Sequence, residues 1–256
     1  MGLDMDRLAR GAKARLRWVS DFVWPPRSLV TGLSHSGSGL IPPEDFARLT
    51  FLNGGGCRLC AMPAESDLGD ATLCGACAAK PPRWQAARAA LAYDDASRKA
   101  VLDLKRAGRR DGLPVFAAWM GLAGADILSA ADLIVPVPLH YRRLASRGFN
   151  QSGWLASAVS RQSGLPACND ALIRQRPTPT QGGLSARERR RNVAGAFAVR
   201  ASRAEAVAGA NIVLVDDVYT TGATLSACTR ALKKGKAASV SVLVLARVVR
   251  PSDVTI

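Results

Sequence analysis

The chain has 256 residues, of which 48% are hydrophobic, and its 35 Lys and Arg against 20 Asp and Glu give a formal charge of +15. This length and hydrophobic content predict a globular protein with one main domain and a smaller module, and they exclude a disordered chain. No apolar run is long enough to span a bilayer, and charged residues interrupt the apolar runs near the N-terminus, so we expect a cytoplasmic protein. The positive charge favours anionic ligands, namely phosphates, nucleic acid or acidic membrane.

The first part of the chain predicts a helix and then a linker. In residues 1–26, apolar side chains recur at roughly helical spacing among Arg and Lys until Pro25 and Pro26. Such an amphipathic helix could lie on a membrane surface or pack on its own protein, and we favour packing. Residues 27–56 are rich in Gly, Ser and Pro, which is typical of a loop or linker.

Four cysteines follow in two Cys-x2-Cys pairs: Cys57, Cys60, Cys74 and Cys77. Each pair fits a tight turn that presents two thiolates to one ion, and two such turns complete a tetrahedral zinc site. A redox site is the alternative. It uses a single Cys-x2-Cys pair in a thioredoxin-like setting, so the presence of two pairs argues against it. We therefore predict a structural Zn²⁺ bound by all four thiolates, within a linker-plus-zinc module over residues 27–80.

The main domain is predicted over residues 81–250, as alternating strands and helices. A strand is expected around residues 87–93, followed by helices of which the second covers about 113–129. Residues 133–138 predict a short buried strand stopped by proline, with a basic loop after it. Because open α/β sheets bind ligands at the carboxyl ends of their strands, that loop is a candidate anion site. A strand, a flexible loop and a very basic helix are predicted within 171–199.

The most informative stretch is 212–225. An apolar strand buried on both faces is predicted to lead into Asp216 and Asp217, then into a turn rich in Thr and Gly, and then into a helix. Backbone N–H groups and the positive end of the helix dipole would meet at the turn and form a phosphate site. Two carboxylates repel phosphate, so ribose hydroxyls, or a cation carried with the ligand, are their expected partners. The simpler alternative is that both are polar residues at the end of a strand.

This stretch resembles the loop of type I phosphoribosyltransferases that binds 5-phosphoribosyl pyrophosphate (PRPP). The resemblance implies a Rossmann-like α/β fold with a mainly parallel sheet flanked by helices, and Mg²⁺ bound together with PRPP. It also implies that Asp216 and Asp217 hold the ribose hydroxyls and that the turn wraps the 5′-phosphate. The residues of the turn are Thr220, Thr221, Gly222, Ala223 and Thr224.

Two further blocks extend the resemblance to the ComF/GntX family of competence-associated phosphoribosyltransferase-like proteins. The first runs from Val-Pro-Val-Pro-Leu-His to Arg-Gly-Phe-Asn-Gln within 135–151, and the second contains Thr-Gln-Gly-Gly-Leu and Gly-Ala-Phe within 180–197. In that family the first block corresponds to the pyrophosphate loop, here with Pro138, Leu139, His140, Arg142 and Arg143. The second corresponds to a mobile loop that closes over PRPP, here with Gln181, Arg187, Arg190 and Asn192. The cysteines correspond to a zinc ribbon that precedes the transferase domain.

The sequence departs from the family at one point. Relatives often carry another Cys-x2-Cys just after a Pro-Pro-Arg, whereas Ser28 and Thr31 stand at those positions here. We infer that the first ribbon of a double ribbon has lost its metal, and we expect residues 27–56 to be poorly ordered.

Two classes of function follow from the resemblance. One is an enzyme that transfers a phosphoribosyl group from PRPP to a nucleophile, although no residue identifies the acceptor. The other is a non-catalytic PRPP or nucleotide sensor, or a DNA-binding protein of competence, DNA uptake or DNA processing. Its partners would be single-stranded DNA or a helicase-like competence protein. The fold alone does not separate these classes, because one fold hosts enzymes and regulators.

Overall fold

The structure is a computed structural model that describes residues 26–35, 39–52, 56–64, 73–106, 110–139, 144–145, 148–176, 193 and 195–249. The amphipathic helix predicted over residues 1–26 therefore lies almost wholly outside the described residues. Strands are β1 (Ala87–Ala92), β2 (Leu133–Pro136), β3 (Leu172–Arg174), β4 (Phe197–Val199), β5 (Asn211–Tyr219) and β6 (Ser239–Arg247). Helices are α1 (Pro43–Phe46), α2 (Gly75–Ala79), α3 (Asp95–Arg106), α4 (Leu113–Ala123), α5 (Ala125–Ser129), α6 (Gln151–Ser163), α7 (Ala204–Val207) and α8 (Ala223–Lys234).

A parallel sheet of four strands in the order β1-β6-β5-β2 forms the centre of the fold. The two inner strands are long and mostly apolar and buried, as expected for strands covered on both faces. Successive side chains of β5 alternate between the faces, so that Leu214 packs in one core and Val215 in the other. Helix α8 covers the first face, whereas α4 and α6 pack together on the second. The predicted α/β class with a mainly parallel sheet is confirmed.

A separate antiparallel pair, β3 and β4, stands beside the sheet. Residues 177–192 connect these strands in sequence and lie outside the described residues. The predicted mobile-loop residues Gln181, Arg187, Arg190 and Asn192 fall in that segment. Among the helices of the described residues, none has the length and apolar character needed to cross a bilayer.

The single helix predicted over 113–129 is instead two helices, α4 and α5, divided at Gly124. A Cβ atom at Gly124 would lie 2.8 Å from a methyl carbon of Leu243 on β6. The chain therefore lies close to β6 at this residue. Glycine weakens a helix interior and ends helices readily, and that accounts for the break.

The segment predicted as a poorly ordered linker packs against the main domain over its described parts, 26–35 and 39–52. Leu29 and Val30 are each 4% exposed and belong to the core that contains α4. Phe51 forms an antiparallel bridge with Leu91, which covers the outer edge of β1. Burial of these apolar side chains and pairing with an open strand edge both favour this packing, and the assignment of the segment as a linker stays a prediction.

Candidate functional site

The phosphate turn lies between β5 and α8, as the sequence predicts. Strand β5 extends past both carboxylates to Tyr219, and α8 begins at Ala223 with Gly222 as its N-cap at φ +71°. A Cβ atom on Gly222 would lie 2.9 Å from the Tyr219 ring and 3.2 Å from the Trp84 ring. Only glycine accepts this dihedral angle without strain, and only glycine fits the space. The phosphate turn is therefore fixed between the rings of Tyr219 and Trp84. The backbone N–H groups at the start of α8 have no acceptor within the helix, so they can bind an anion.

A cavity of about 310 Å³ opens at the carboxyl ends of β2 and β5. Most of the predicted ligand residues that the structure describes line it. These are Asp216, Asp217, Thr220, Gly222, Ala223 and Thr224 from the turn, with Pro138 and Leu139 from the pyrophosphate loop. Thr221 is described but does not line the cavity, and His140, Arg142 and Arg143 lie outside the described residues. Two loops that are far apart in sequence thus share one cavity.

The two carboxylates are held by the start of α6, which the sequence did not assign to the site. Gln151 Nε2 donates to Asp217 Oδ2 at 3.0 Å, and Ser152 Oγ donates to Asp216 Oδ1 at 2.8 Å. Asp217 is only 6% exposed, and Gln151 is also buried. No donor hydrogen-bonds the buried Gln151 Oε1 in the part of the chain that the structure describes. Other atoms of Gln151 line the cavity, whereas this oxygen is buried.

The start of α6 is itself fixed by local sequence. Asn150 is the N-cap: its Oδ1 accepts from Ser152 N at 3.2 Å, while its Nδ2 donates to the carbonyl of Val137 at 3.1 Å. Phe149 stacks on Trp154 with ring centroids 4.1 Å apart, which is the hydrophobic staple of a helix start. The Asn-Gln-Ser sequence at the predicted start of a helix is the signal that could have identified Gln151 and Ser152.

Arg174 is a third residue that the sequence did not assign to the site. It ends β3, lines the cavity, and lies with its guanidinium 5.3 Å from the centre of the Phe197 ring. Among the described residues that line the cavity, it is the only basic one. It therefore supplies positive charge to the cavity that the two carboxylates also line, and a phosphate ligand favours such a charge.

The four predicted cysteines come together as a cluster. Their Sγ atoms all lie within 4.8 Å of one another, and those of Cys60 and Cys74 are 3.6 Å apart. A tetrahedral ion with sulfur at about 2.3 Å separates its ligands by about 3.8 Å, so the cluster fits such an ion. Cys57 and Cys60 come from one turn, whereas Cys74 and Cys77 lie at the start of α2 and within it. The cluster could bind a metal such as zinc.

Without a metal, the thiols perturb one another. Hydrogen bonding from Cys60 lowers the pKa of Cys57 to about 4, whereas burial raises the pKa of Cys77 to about 12. Because a thiol binds a metal as the thiolate, metal binding at this cluster depends on pH. Cys168 and Cys228, which we predict to be free thiols, form no disulfide.

The turn at residues 28–33 repeats the backbone of the first cysteine turn. Ser28 N donates to the carbonyl of Leu33 and Gly32 N to that of Ser28, each at 2.9 Å. In the cysteine turn, the equivalent bonds from Cys57 N and Ala61 N are each 2.8 Å long. Gly32 and Ala61 both have positive φ, at +71° and +54°. The turn at 28–33 thus keeps this shape without cysteine.

In the turn at residues 28–33, side chains hydrogen-bond to a buried carboxylate. Thr31 Oγ1 donates to Asp45 Oδ2 at 2.7 Å. Hydrogen bonding from Ser28, with a further contribution from Thr31, holds the pKa of Asp45 below its usual value despite burial. Ser28 and Thr31 therefore bind a carboxylate at the positions where the predicted family carries cysteine.

Comparison with known proteins agrees with this geometry. Residues 125–253 match the phosphoribosyl transferase domain. DNA utilization protein YhgH of Escherichia coli O157:H7 is 36% identical over 200 residues, which span 75% of this chain and 83% of that protein. The chain belongs to the ComF family of phosphoribosyltransferase-like proteins.

Two competence proteins support this assignment. Competence protein F of Haemophilus influenzae is 39% identical over 120 residues, covering 47% of this chain and 52% of that protein. Competence protein ComFC of Bacillus subtilis is 42% identical over 116 residues, covering 45% and 44%. The family predicted from the three sequence blocks is confirmed, and this ComF-family protein has the transferase fold that the resemblance implied.

Proposed function

We propose that the cavity of this ComF-family protein binds PRPP. The observation that carries the proposal is the convergence of two hydrogen-bonded carboxylates, the N-terminus of α8 and a cationic side chain on one cavity of about 310 Å³. A ligand with a sugar between two phosphate groups offers a partner to each of these elements. A simple phosphate ligand would give the two carboxylates no role in binding.

Each element has a distinct part in binding. Backbone N–H groups of Ala223 and Thr224 hold the 5′-phosphate at the start of α8. Asp216 and Asp217 accept hydrogen bonds from the ribose hydroxyls, in orientations that Ser152 and Gln151 fix. The pyrophosphate group lies beside Pro138 and Leu139, with Arg142, Arg143 and His140 completing that loop. Mg²⁺, bound together with PRPP, would neutralise charge on the pyrophosphate and ribose oxygens.

Transfer of the phosphoribosyl group is the reaction that this site could support. The bond between C1 of the ribose and the pyrophosphate oxygen breaks, the electron pair leaves with pyrophosphate, and a nucleophile forms the new bond to C1. The protein contributes position and charge stabilisation rather than a covalent intermediate. Asp216 and Asp217 hold the ring that develops positive charge, and Arg174 faces the departing pyrophosphate. The mobile loop of Gln181, Arg187, Arg190 and Asn192 would close over the ligand.

Calorimetry with Asp217→Asn tests the proposal. We expect PRPP binding to weaken by about 1.5–3 kcal/mol, or roughly tenfold to a hundredfold, because one charge-assisted hydrogen bond is lost. Inorganic phosphate needs only the turn, so its affinity should stay the same or rise as the neighbouring negative charge disappears. Equal losses for both ligands would mean that the mutation disorders the turn. An unchanged PRPP affinity would refute the proposed role of the carboxylates.

A binding role in DNA processing is the second candidate function. It is favoured by the names of the relatives, DNA utilization protein and competence protein, and by the formal charge of +15. Single-stranded DNA and a helicase-like competence protein are the partners we propose for it. DNA affinity that falls steeply with salt would support this role, since phosphate contacts release counterions. Release of pyrophosphate from PRPP by a protein without DNA affinity would support the enzyme instead.

We also propose that the cysteine cluster binds structural Zn²⁺. Support comes from four thiols at tetrahedral spacing and from the burial of Cys57, Cys60 and Cys77. All four ligand positions are taken by protein sulfur, so the ion has no open position for a substrate. Its part is to hold the turn of residues 57–62 against α2.

A further inference from the structure

A buried arginine joins the cysteine turn to the phosphate turn. Arg247 ends β6 and is 6% exposed. Its Nε donates to the carbonyl of Cys60 at 2.9 Å, while its Nη1 donates to the carbonyl of Thr220 at 2.8 Å and that of Tyr219 at 3.2 Å. The guanidinium carbon also lies 4.2 Å from the centre of the Tyr219 ring. One rigid fork therefore joins a metal-ligand residue to the last residue of β5 and the first residue of the phosphate turn.

A second connection runs parallel to the first. Trp84 Nε1 donates to the carbonyl of Leu59 at 2.6 Å, so the indole is fixed to the cysteine turn. Its ring meets Tyr219 edge-on, with centroids 5.9 Å apart. The same indole lies against the α-carbon of Gly222, where a Cβ atom would come within 3.2 Å of it. Any shift of the cysteine turn would therefore displace Tyr219 and Gly222, through packing as well as through hydrogen bonds.

The charge of the metal-loaded cysteine cluster explains why residue 247 is an arginine. Four thiolates around a divalent cation leave an excess of negative charge. The guanidinium of Arg247, hydrogen-bonded to the carbonyl of Cys60, offsets part of this negative charge. The negative cluster in turn stabilises the buried guanidinium, whose described hydrogen bonds all go to backbone carbonyl groups. Loss of the ion would remove that support and leave the fork free to shift.

We propose that Arg247 is a positioning residue that couples metal binding at the cysteine cluster to ligand binding at the phosphate turn. This coupling rests on the proposed PRPP site, and it requires that PRPP binds there but not that PRPP is converted to product. The metal-loaded cluster holds the carbonyl of Cys60, which fixes the guanidinium, and the guanidinium fixes Tyr219 and Thr220 just before Gly222. By linkage, a phosphate ligand that orders the turn also alters the environment of the metal.

The test uses the full chain loaded with Co²⁺, whose thiolate charge-transfer absorption reports on the cluster. We expect PRPP with Mg²⁺ to perturb this absorption in the wild type. In Arg247→Met the perturbation should disappear and PRPP affinity should fall about tenfold, since hydrogen bonds to a charged group are lost while the four metal ligands remain. Arg247→Lys keeps the charge without the fork, so it should retain the metal but lack the spectral response.

Arg88 provides the matched control. Its Nη1 donates to the carbonyl of Arg58 in the same cysteine turn, at 3.3 Å, but it makes no described bond to the phosphate turn. Arg88→Met should therefore behave like the wild type in both measurements. A wild type that binds PRPP without any spectral response would overturn the coupling alone. An equal response in Arg247→Met would overturn the role of Arg247, and a wild type that fails to bind PRPP would overturn the proposed function as well.

Discussion

Gly222→Ala is the perturbation that the structure predicts most sharply. Gly222 has φ +71°, a left-handed conformation that costs an alanine about 1–2 kcal/mol. The new methyl group would lie 2.9 Å from Cε2 of Tyr219 and 3.1 Å from its hydroxyl oxygen, and this overpacking adds about 1–3 kcal/mol. The free energy of unfolding should therefore fall by about 2–5 kcal/mol.

Gly209→Ala separates the two contributions. Gly209 has φ +76°, nearly the same as Gly222, but no heavy atom lies within 4 Å of the position its Cβ would take. This variant therefore carries only the conformational cost of about 1–2 kcal/mol. Gly209 follows α7, and its N–H donates to the carbonyl of Lys236, away from the cavity lining. The difference in stability between the two variants measures the clash alone.

The clash should also change ligand binding. Tyr219 lies under the guanidinium of Arg247, and Trp84 is fixed by its bond to Leu59, so neither ring yields easily. The turn must shift instead, which moves the N–H groups of Ala223 away from a bound phosphate. Urea denaturation gives the stability of both variants, and calorimetry with inorganic phosphate gives their affinities. Equal stability of the two variants, or unchanged phosphate affinity in Gly222→Ala, would refute this reasoning.

Three further predictions concern the metal, the buried carboxylate and the cavity arginine. Cys57→Ser combined with Cys74→Ser should abolish zinc binding, because only two thiolates remain; full zinc content by elemental analysis would contradict the cluster as a metal site. Asp45→Asn should lower the free energy of unfolding by about 1 kcal/mol near pH 7 through weaker hydrogen bonds. Because its pKa is lower in the folded protein, this contribution is present above the unfolded pKa of about 4 and is lost as pH falls through the folded pKa, so denaturation curves of mutant and wild type should converge in acid. Arg174→Gln should weaken pyrophosphate binding about tenfold in calorimetry, whereas Arg176→Gln, an exposed residue outside the cavity lining, should leave it unchanged; equal effects would indicate loss of general charge.

The sequence by itself determined the parts of this protein that are local in the chain. The apolar run of β5, the carboxylates that follow it and the turn before α8 are contiguous, so strand periodicity and turn chemistry were enough to predict them. The spacing of the cysteines likewise predicted a cluster, since Cys-x2-Cys allows few backbone shapes. These features depend on neighbours within a few residues, and such neighbours are visible in a sequence.

Only the tertiary structure decided which distant residues complete these sites. Gln151 bonds to Asp217 across 66 positions, and Arg247 bonds to the carbonyl of Cys60 across 187. No local pattern shows which residues pair in these contacts, because each pairing depends on how the crossover connections bring strand ends together. For the same reason, the burial of Leu29 could not be predicted from composition: it depends on the surface of α4, which a window rich in Gly, Ser and Pro does not reveal.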